Sequence, residues 1–120
     1  LRYSSDHEWV RVDGATATIG ITEYAQDALG DVVFVEMPDA GLAVAAGESF
    51  SEVESTKSVS DIYAPITGSI SEVNAELESQ PELLNSDPYG AGWICRIEIS
   101  DPSELDGLMD AEAYRALTEG

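Results

Sequence analysis

Glu48-Ser49-Phe50-Ser51-Glu52-Val53-Glu54-Ser55 and Ser58-Val59-Ser60-Asp61-Ile62-Tyr63 are two β-prone runs that meet at Thr56-Lys57. Bounded by turn signals, they read as two strands of a hairpin. The bend carries no Asn-Gly or Gly-Gly, so the reading rests on the flanks; a type I turn tolerates these residues. Eight residues on, Ala64-Pro65-Ile66-Thr67-Gly68 forms a second turn and starts the next strand. Lys57 is the only lysine of the chain; the other cations are Arg2, Arg11, Arg96 and Arg115, against 24 Asp and Glu. Lysines are usually exposed and carry no special role, so the count alone assigns none. The position says more. A lone amine at a hairpin tip projects clear of the fold and suits attachment of a prosthetic group, which must reach both a modifying enzyme and other active sites.

Working outward, turn signals recur at Asp13-Gly14, Gly30, Pro38 to Gly41, Gly47, Asp87-Pro88 and Gly90 to Gly92. Short β-prone runs lie between them, the pattern of a β-sandwich or barrel. His7–Val12 and Ala15–Ile21 flank Asp13-Gly14, a strong hairpin signal. Asp31–Glu36, with Val32 to Val35 unbroken, reads as a strand covered on both faces. Gly68–Val73 and Gly92–Ile99 complete the strands. Thr22 can cap a short helix through Tyr24, Ala25 and Leu29, stopped by Gly30. Pro81 to Leu84 can form one helical turn. From Pro102 to about residue 118, Leu105, Leu108, Met109, Tyr114 and Leu117 recur at helical spacing, with a break near the N-cap residue Asp110. This stripe reads as packing against the sheet. Residues 1–120 read as one domain.

The net charge of −19 argues against nucleic acid, whose phosphates require Lys and Arg, and against anionic membrane surfaces. It can steer the chain toward basic faces on partners, an effect that salt weakens. No run approaches the roughly 20 apolar residues of a membrane span. The N-terminus does not read as a signal peptide and lacks an initiator Met. One cysteine, Cys95, excludes an internal disulfide and suits a reducing, bacterial-type cytoplasm, with a processed organelle form as the alternative.

Glycine-rich phosphate loops, nucleophile elbows and Cys/His metal spacings are all missing. His7, the only histidine, reads as a strand-edge residue. Alternation places Cys95 on one face with Trp93, Ile97 and Ile99, which reads as buried and inert. An acid–base pair of His7 and Glu8 is disfavoured because adjacent strand residues point to opposite faces. The chain therefore offers no self-sufficient catalytic constellation.

Glu52 to Asp61, followed by Ala64-Pro65-Ile66-Thr67-Gly68, closely resembles the lipoylation segment of the H-protein family of the glycine cleavage system. Further blocks resemble that family in order: His7-Glu8-Trp9-Val10, Ile19-Gly20-Ile21-Thr22, Leu29 to Val35, Val73-Asn74, Leu84-Asn85, Pro88-Tyr89, Gly92-Trp93 and Leu108 to Tyr114. The resemblance runs from about Tyr3 to Leu117. It implies a barrel-sandwich hybrid of two antiparallel sheets with short helices, and a carrier rather than an enzyme. It implies lipoate in amide linkage to Lys57. The carried aminomethyl group would come from glycine through a pyridoxal-phosphate decarboxylase and pass to a tetrahydrofolate-dependent aminomethyltransferase. A flavin-containing dihydrolipoyl dehydrogenase would reoxidise the arm, and a lipoyl ligase or transferase would attach it. The carrier itself is expected to be a monomer.

The same resemblance places Glu8 in the cleft that shelters the loaded arm, with Asp61 just past the lysine segment and Asp6 where a relative has serine. Carboxylates could hold the arm's ammonium end there. Ala28 stands where some relatives carry a histidine credited with seating the arm. Two other carrier classes fit less well. Lipoyl domains of 2-oxo acid dehydrogenases usually place Asp before the lysine, and biotin carriers place Met on both sides, whereas Thr56 and Ser58 flank Lys57. A relay role, passing lipoyl groups to other enzymes, would leave the same sequence.

Overall fold

The computed structural model describes residues 2–119. A short strand β1 (Arg2–Tyr3) leads to β2 (Glu8–Asp13), β3 (Thr16–Ile21), helix α1 (Glu23–Leu29) and β4 (Val32–Glu36). Next come β5 (Ala43–Val44), β6 (Ser49–Ser55), β7 (Val59–Tyr63), β8 (Gly68–Val73), single-turn helices α2 (Glu76–Ser79) and α3 (Leu83–Ser86), and β9 (Cys95–Ile99). A 3-10 turn (Pro102–Gly107) precedes the last helix, α4 (Ala111–Glu119). The strands form two sheets, one in the order β1-β2-β3-β9-β8-β5 and the other β4-β6-β7, with every pair antiparallel. The expected mainly-β architecture of two antiparallel sheets with short helices is what the chain adopts. None of its described helices is long and apolar enough to cross a membrane.

The core lies between the sheets. Val10, Ile19, Ile21, Ile70 and Ile97 from the larger sheet meet Val35, Val53 and Ile62 from the smaller, all at most 4% exposed. Pleating sets the faces. In β2, Glu8 and Val10 face this core while Trp9 turns to the opposite side. There its ring lies over Gly20, its cross-strand partner, and its indole N–H donates to Pro88 O at 2.8 Å. Arg11 covers the same ring from two residues along.

Several sequence expectations are corrected. β4 is not covered on both faces: Val33 and Phe34 are 50% and 54% exposed. The pairing with β6 slips between Val32 and Phe34, and this bulge turns two consecutive apolar side chains outward. The last core strand begins at Cys95, not Gly92. Trp93 does not share the Cys95 face; it is only partly buried and stacks with Arg96. His7 lies outside β2, at φ 67°. The C-terminal stripe splits, because Tyr114 is buried but Leu117 is 48% exposed. The break at Asp110 is where it was expected, with the Asp110 carboxylate accepting from Ala113 N–H at 2.8 Å.

A Cβ on Gly20 would sit 2.5 Å from two ring carbons of fully buried Trp9. Gly20→Ala is predicted to destabilise the fold by about 1–3 kcal/mol through overpacking. Denaturant melting followed by tryptophan fluorescence will show a lowered midpoint.

Candidate functional site

Lys57 stands exposed at the tip of the β6–β7 hairpin. Buried Ser55 shapes the turn in place of a glycine. Its N–H donates to Ser58 O at 2.8 Å, and its Oγ accepts from the N–H groups of Lys57 (3.2 Å) and Ser58 (3.1 Å). A hydroxyl that closes a turn on its own backbone is a known use of serine, which removes the need for Asn-Gly. The tip is docked onto the connector between α1 and β4, with Thr56 N–H donating to Asp31 O at 3.0 Å. Asn85 clamps that connector from behind. Its Oδ1 accepts from Val32 N–H at 2.8 Å and its Nδ2 donates to Gly30 O at 2.8 Å. Gly30 adopts φ +82°, and a Cβ there would lie 3.2 Å from Lys57 Cε. The bare Gly30 backbone is thus a cradle for the lysine stem.

Beside the tip opens a cleft of about 540 Å³. Ala25, Ala28 and Leu29 of α1 form one wall, Ser60 to Tyr63 of β7 another, and Ser5 to His7 the rim. Asp6 and Asp61, both exposed, line it. Glu8 does not reach its surface: the residue is 1% exposed and sits behind the wall. Ser4 Oγ donates to Glu8 Oε1 at 2.6 Å and accepts from Glu8 N–H at 3.2 Å. Burial pushes the Glu8 carboxyl up to about 7; the Ser4 hydrogen bond opposes this, the charge of Asp6 adds to it, and the Tyr63 backbone opposes it weakly. The structure therefore brings Asp6, Asp61 and Glu8 to one cleft, but at two depths. Ala28 leaves the wall there without an imidazole.

His7 and Glu8 do not converge, for a reason other than strand alternation. The left-handed backbone at His7 turns its ring onto Tyr24 and Tyr114, with Nδ1 2.8 Å from Tyr114 OH. Thr22 Oγ1 lies 2.6 Å from the same phenol, so α1, α4 and the rim share one polar knot. Cys95 is fully buried, and burial pushes its thiol up to about 12, which leaves it un-ionised. A groove of about 610 Å³ among Tyr3, Tyr24, Tyr89 and Tyr114 contains no tip residue. Ser4, Ser55 and Asn85 are positioning residues that sequence reasoning missed. Ser55 acts on its own turn, Ser4 on a side chain four residues away, and Asn85 across more than fifty residues, although Asn85 falls in a block that resembled the family.

Two packed antiparallel sheets, with a lone exposed lysine on a pinned hairpin tip beside an acidic cleft, define the class: a prosthetic-group carrier domain. A family model described as "Glycine cleavage H-protein" matches residues 1–120. The chain is 59% identical over 118 residues to the glycine cleavage system H protein of Beutenbergia cavernae, covering 98% of this chain and 93% of that protein. It is 57% identical over 115 residues to the probable glycine cleavage system H protein of Haloarcula marismortui, covering 96% and 91%. A crystal structure of a glycine cleavage system H protein from Mycobacterium marinum superposes with a TM-score of 0.90 at 42% identity, covering 99% and 96%. The chain belongs to the glycine cleavage H-protein family, whose members carry lipoate. It is a lipoyl carrier subunit of that system and works with the system's other components; it is not an enzyme.

The raised Glu8 pKa makes a stability prediction with a definite sign. Between pH 4.5 and about 7 the folded state keeps a proton that the unfolded state releases. Stability falls as pH rises through this window and levels off above it. Glu8→Gln removes that dependence. The stability difference between the variant and the natural chain will shift in the variant's favour by at most about 3 kcal/mol across the window. Paired denaturant titrations at pH 4.5 and 8 measure it.

Proposed function

We propose that Lys57 carries lipoate in amide linkage and that the adjoining cleft shelters the loaded arm. The observation that supports this most is the stem of the sole lysine lying on the Gly30 cradle, at the edge of a cleft with carboxylates at two depths. When bound, lipoate supplies the sulfur chemistry; the chain supplies tethering and electrostatics. Holding the group on a fixed tip raises its effective concentration at each partner site.

The residues divide the work. Asp6 and Asp61 give the cleft a negative surface that favours a cationic amine. Ile21, Leu29 and Ile62 supply apolar walls that limit water. Glu8 lies behind, near its midpoint at neutral pH. A cation seated nearby favours its carboxylate, so seating is coupled to release of a proton from Glu8. The carboxylates then do the holding without help from an imidazole at Ala28. The partners that fit are the pyridoxal-phosphate decarboxylase, the tetrahydrofolate-dependent aminomethyltransferase, dihydrolipoyl dehydrogenase and a lipoyl ligase or transferase. The buried, unpaired Cys95 is compatible with a cytoplasmic setting.

Intact mass after expression with a lipoyl ligase and lipoate will rise by one lipoyl group, and Lys57→Arg will show no rise. Glycine and the decarboxylase will then load the arm. Biotin in place of lipoate, or no modification by an active ligase, contradicts the assignment. With Glu8→Gln, lipoylation will proceed but the loaded group will be lost about fivefold faster, equivalent to roughly 1 kcal/mol. An unchanged lifetime removes Glu8 from the site.

A further inference from the structure

The β4 bulge leaves an unpartnered apolar patch next to Lys57. Register places Phe34, Glu54 and Val59 side by side across β4, β6 and β7, in the outward-facing row nearest the tip. Phe34 and Val59 are 54% and 53% exposed, and Val33, the extra residue of the bulge, is 50% exposed. The next row on that face begins with Glu36 and Glu52, two exposed carboxylates directly opposite one another, and ends at Asp61 on the edge strand, which also lines the cleft. Like charges in that arrangement destabilise a sheet. None of the three strands contains a Lys or Arg, and the ion pair found among the described residues, Arg96 with Glu72, lies on the other sheet. Neither row is explained by folding.

We propose that this outer face is the docking surface for the enzyme that attaches lipoate to Lys57. Its counterpart would be an apolar contact over Phe34, Val33 and Val59, framed by Lys or Arg side chains that meet Glu36 and Glu52. The assignment rests on the reading of Lys57 as the attachment site. Geometry selects this partner among those that visit the arm. To form the amide, Nζ gives up a proton and attacks the carbonyl of an activated lipoyl group; the C–N bond forms as the bond to the activating group breaks. The enzyme must therefore bring its catalytic groups to bonding distance of Nζ, which covers the surface around the tip. Enzymes acting at the far end of the arm need not touch it. The connector side of the tip is already filled by Gly30 and Asp31 and another side opens into the cleft, so the outer face is the continuous surface for approach. Opposite charges would speed encounter and fix the register.

The test is the initial rate of lipoylation against chain concentration, with purified lipoate ligase, ATP and lipoate, read by intact mass. Phe34→Ser and Val59→Ser are each expected to lower kcat/KM about tenfold, mainly through KM, as loss of an apolar anchor does. Phe34→Leu, which keeps the apolar area, should restore most of it. Glu36→Gln with Glu52→Gln should lower the rate and flatten its salt dependence, while Glu98→Gln on the other sheet should do neither. All sites are exposed, and unchanged thermal melting will confirm folding. Natural chain that is modified at Lys57, with Phe34→Ser and Val59→Ser equally fast, overturns the docking surface alone. Natural chain that takes no lipoate overturns the attachment site and this surface with it. Fully lipoylated variants that lose the decarboxylase reaction to the same degree overturn the assignment to the attaching enzyme.

Discussion

The Asn85 carboxamide holds Val32 N–H and Gly30 O at once, and the placement of Lys57 follows from that clamp. It fixes the connector between α1 and β4. The connector in turn receives the hairpin tip through Thr56 N–H and bears the lysine stem on Gly30. Each bond of this kind contributes about 1 kcal/mol net, but an unpartnered buried backbone group costs more, so the clamp is strongly favoured over its absence. The proposed attachment point must be exposed and yet fixed in direction. At Lys57 exposure comes from the two-residue tip, and direction from a backbone that is itself held.

The second constraint is electrostatic. An acidic chain gains little by burying one more carboxyl, yet Glu8 faces the core beside Val10, almost without solvent contact. Ser4 stabilises the charged form and burial the neutral one, leaving the group poised near 7. A carboxyl in that state responds to a nearby cation far more than one already ionised at the surface. In the proposed function, the exposed Asp6 and Asp61 would attract the amine and Glu8 would discriminate between an empty and an occupied cleft.

Much of this was legible in the sequence. The Asp13-Gly14 hairpin, the Thr22 cap and the Asp110 break have local turn or cap chemistry and form where that chemistry predicts, while the hairpin around Lys57 was legible from its β-prone flanks. The gathering of Glu8, Asp6 and Asp61 at one cleft was expected only through family resemblance. Nothing local to Glu8 shows that Ser4 folds back onto it, because that contact depends on the left-handed turn at His7. The β4 bulge was hidden for a related reason: an unbroken Val32-Val33-Phe34-Val35 run looks the same whether or not one residue slips out of register. Only pairing with β6 reveals that Val33 and Phe34 both face outward. The Asn85 clamp joins positions more than fifty residues apart, and spacing alone cannot foresee it.

The poise of Glu8 can be observed directly. With side-chain ¹³C-labelled glutamate, the Glu8 carboxyl can be titrated by NMR in the lipoylated chain before and after loading with glycine and the decarboxylase. The account predicts a midpoint near 7 in the unloaded chain and a clearly lower one when the cationic end of the arm is seated. The same midpoint in both states would contradict it.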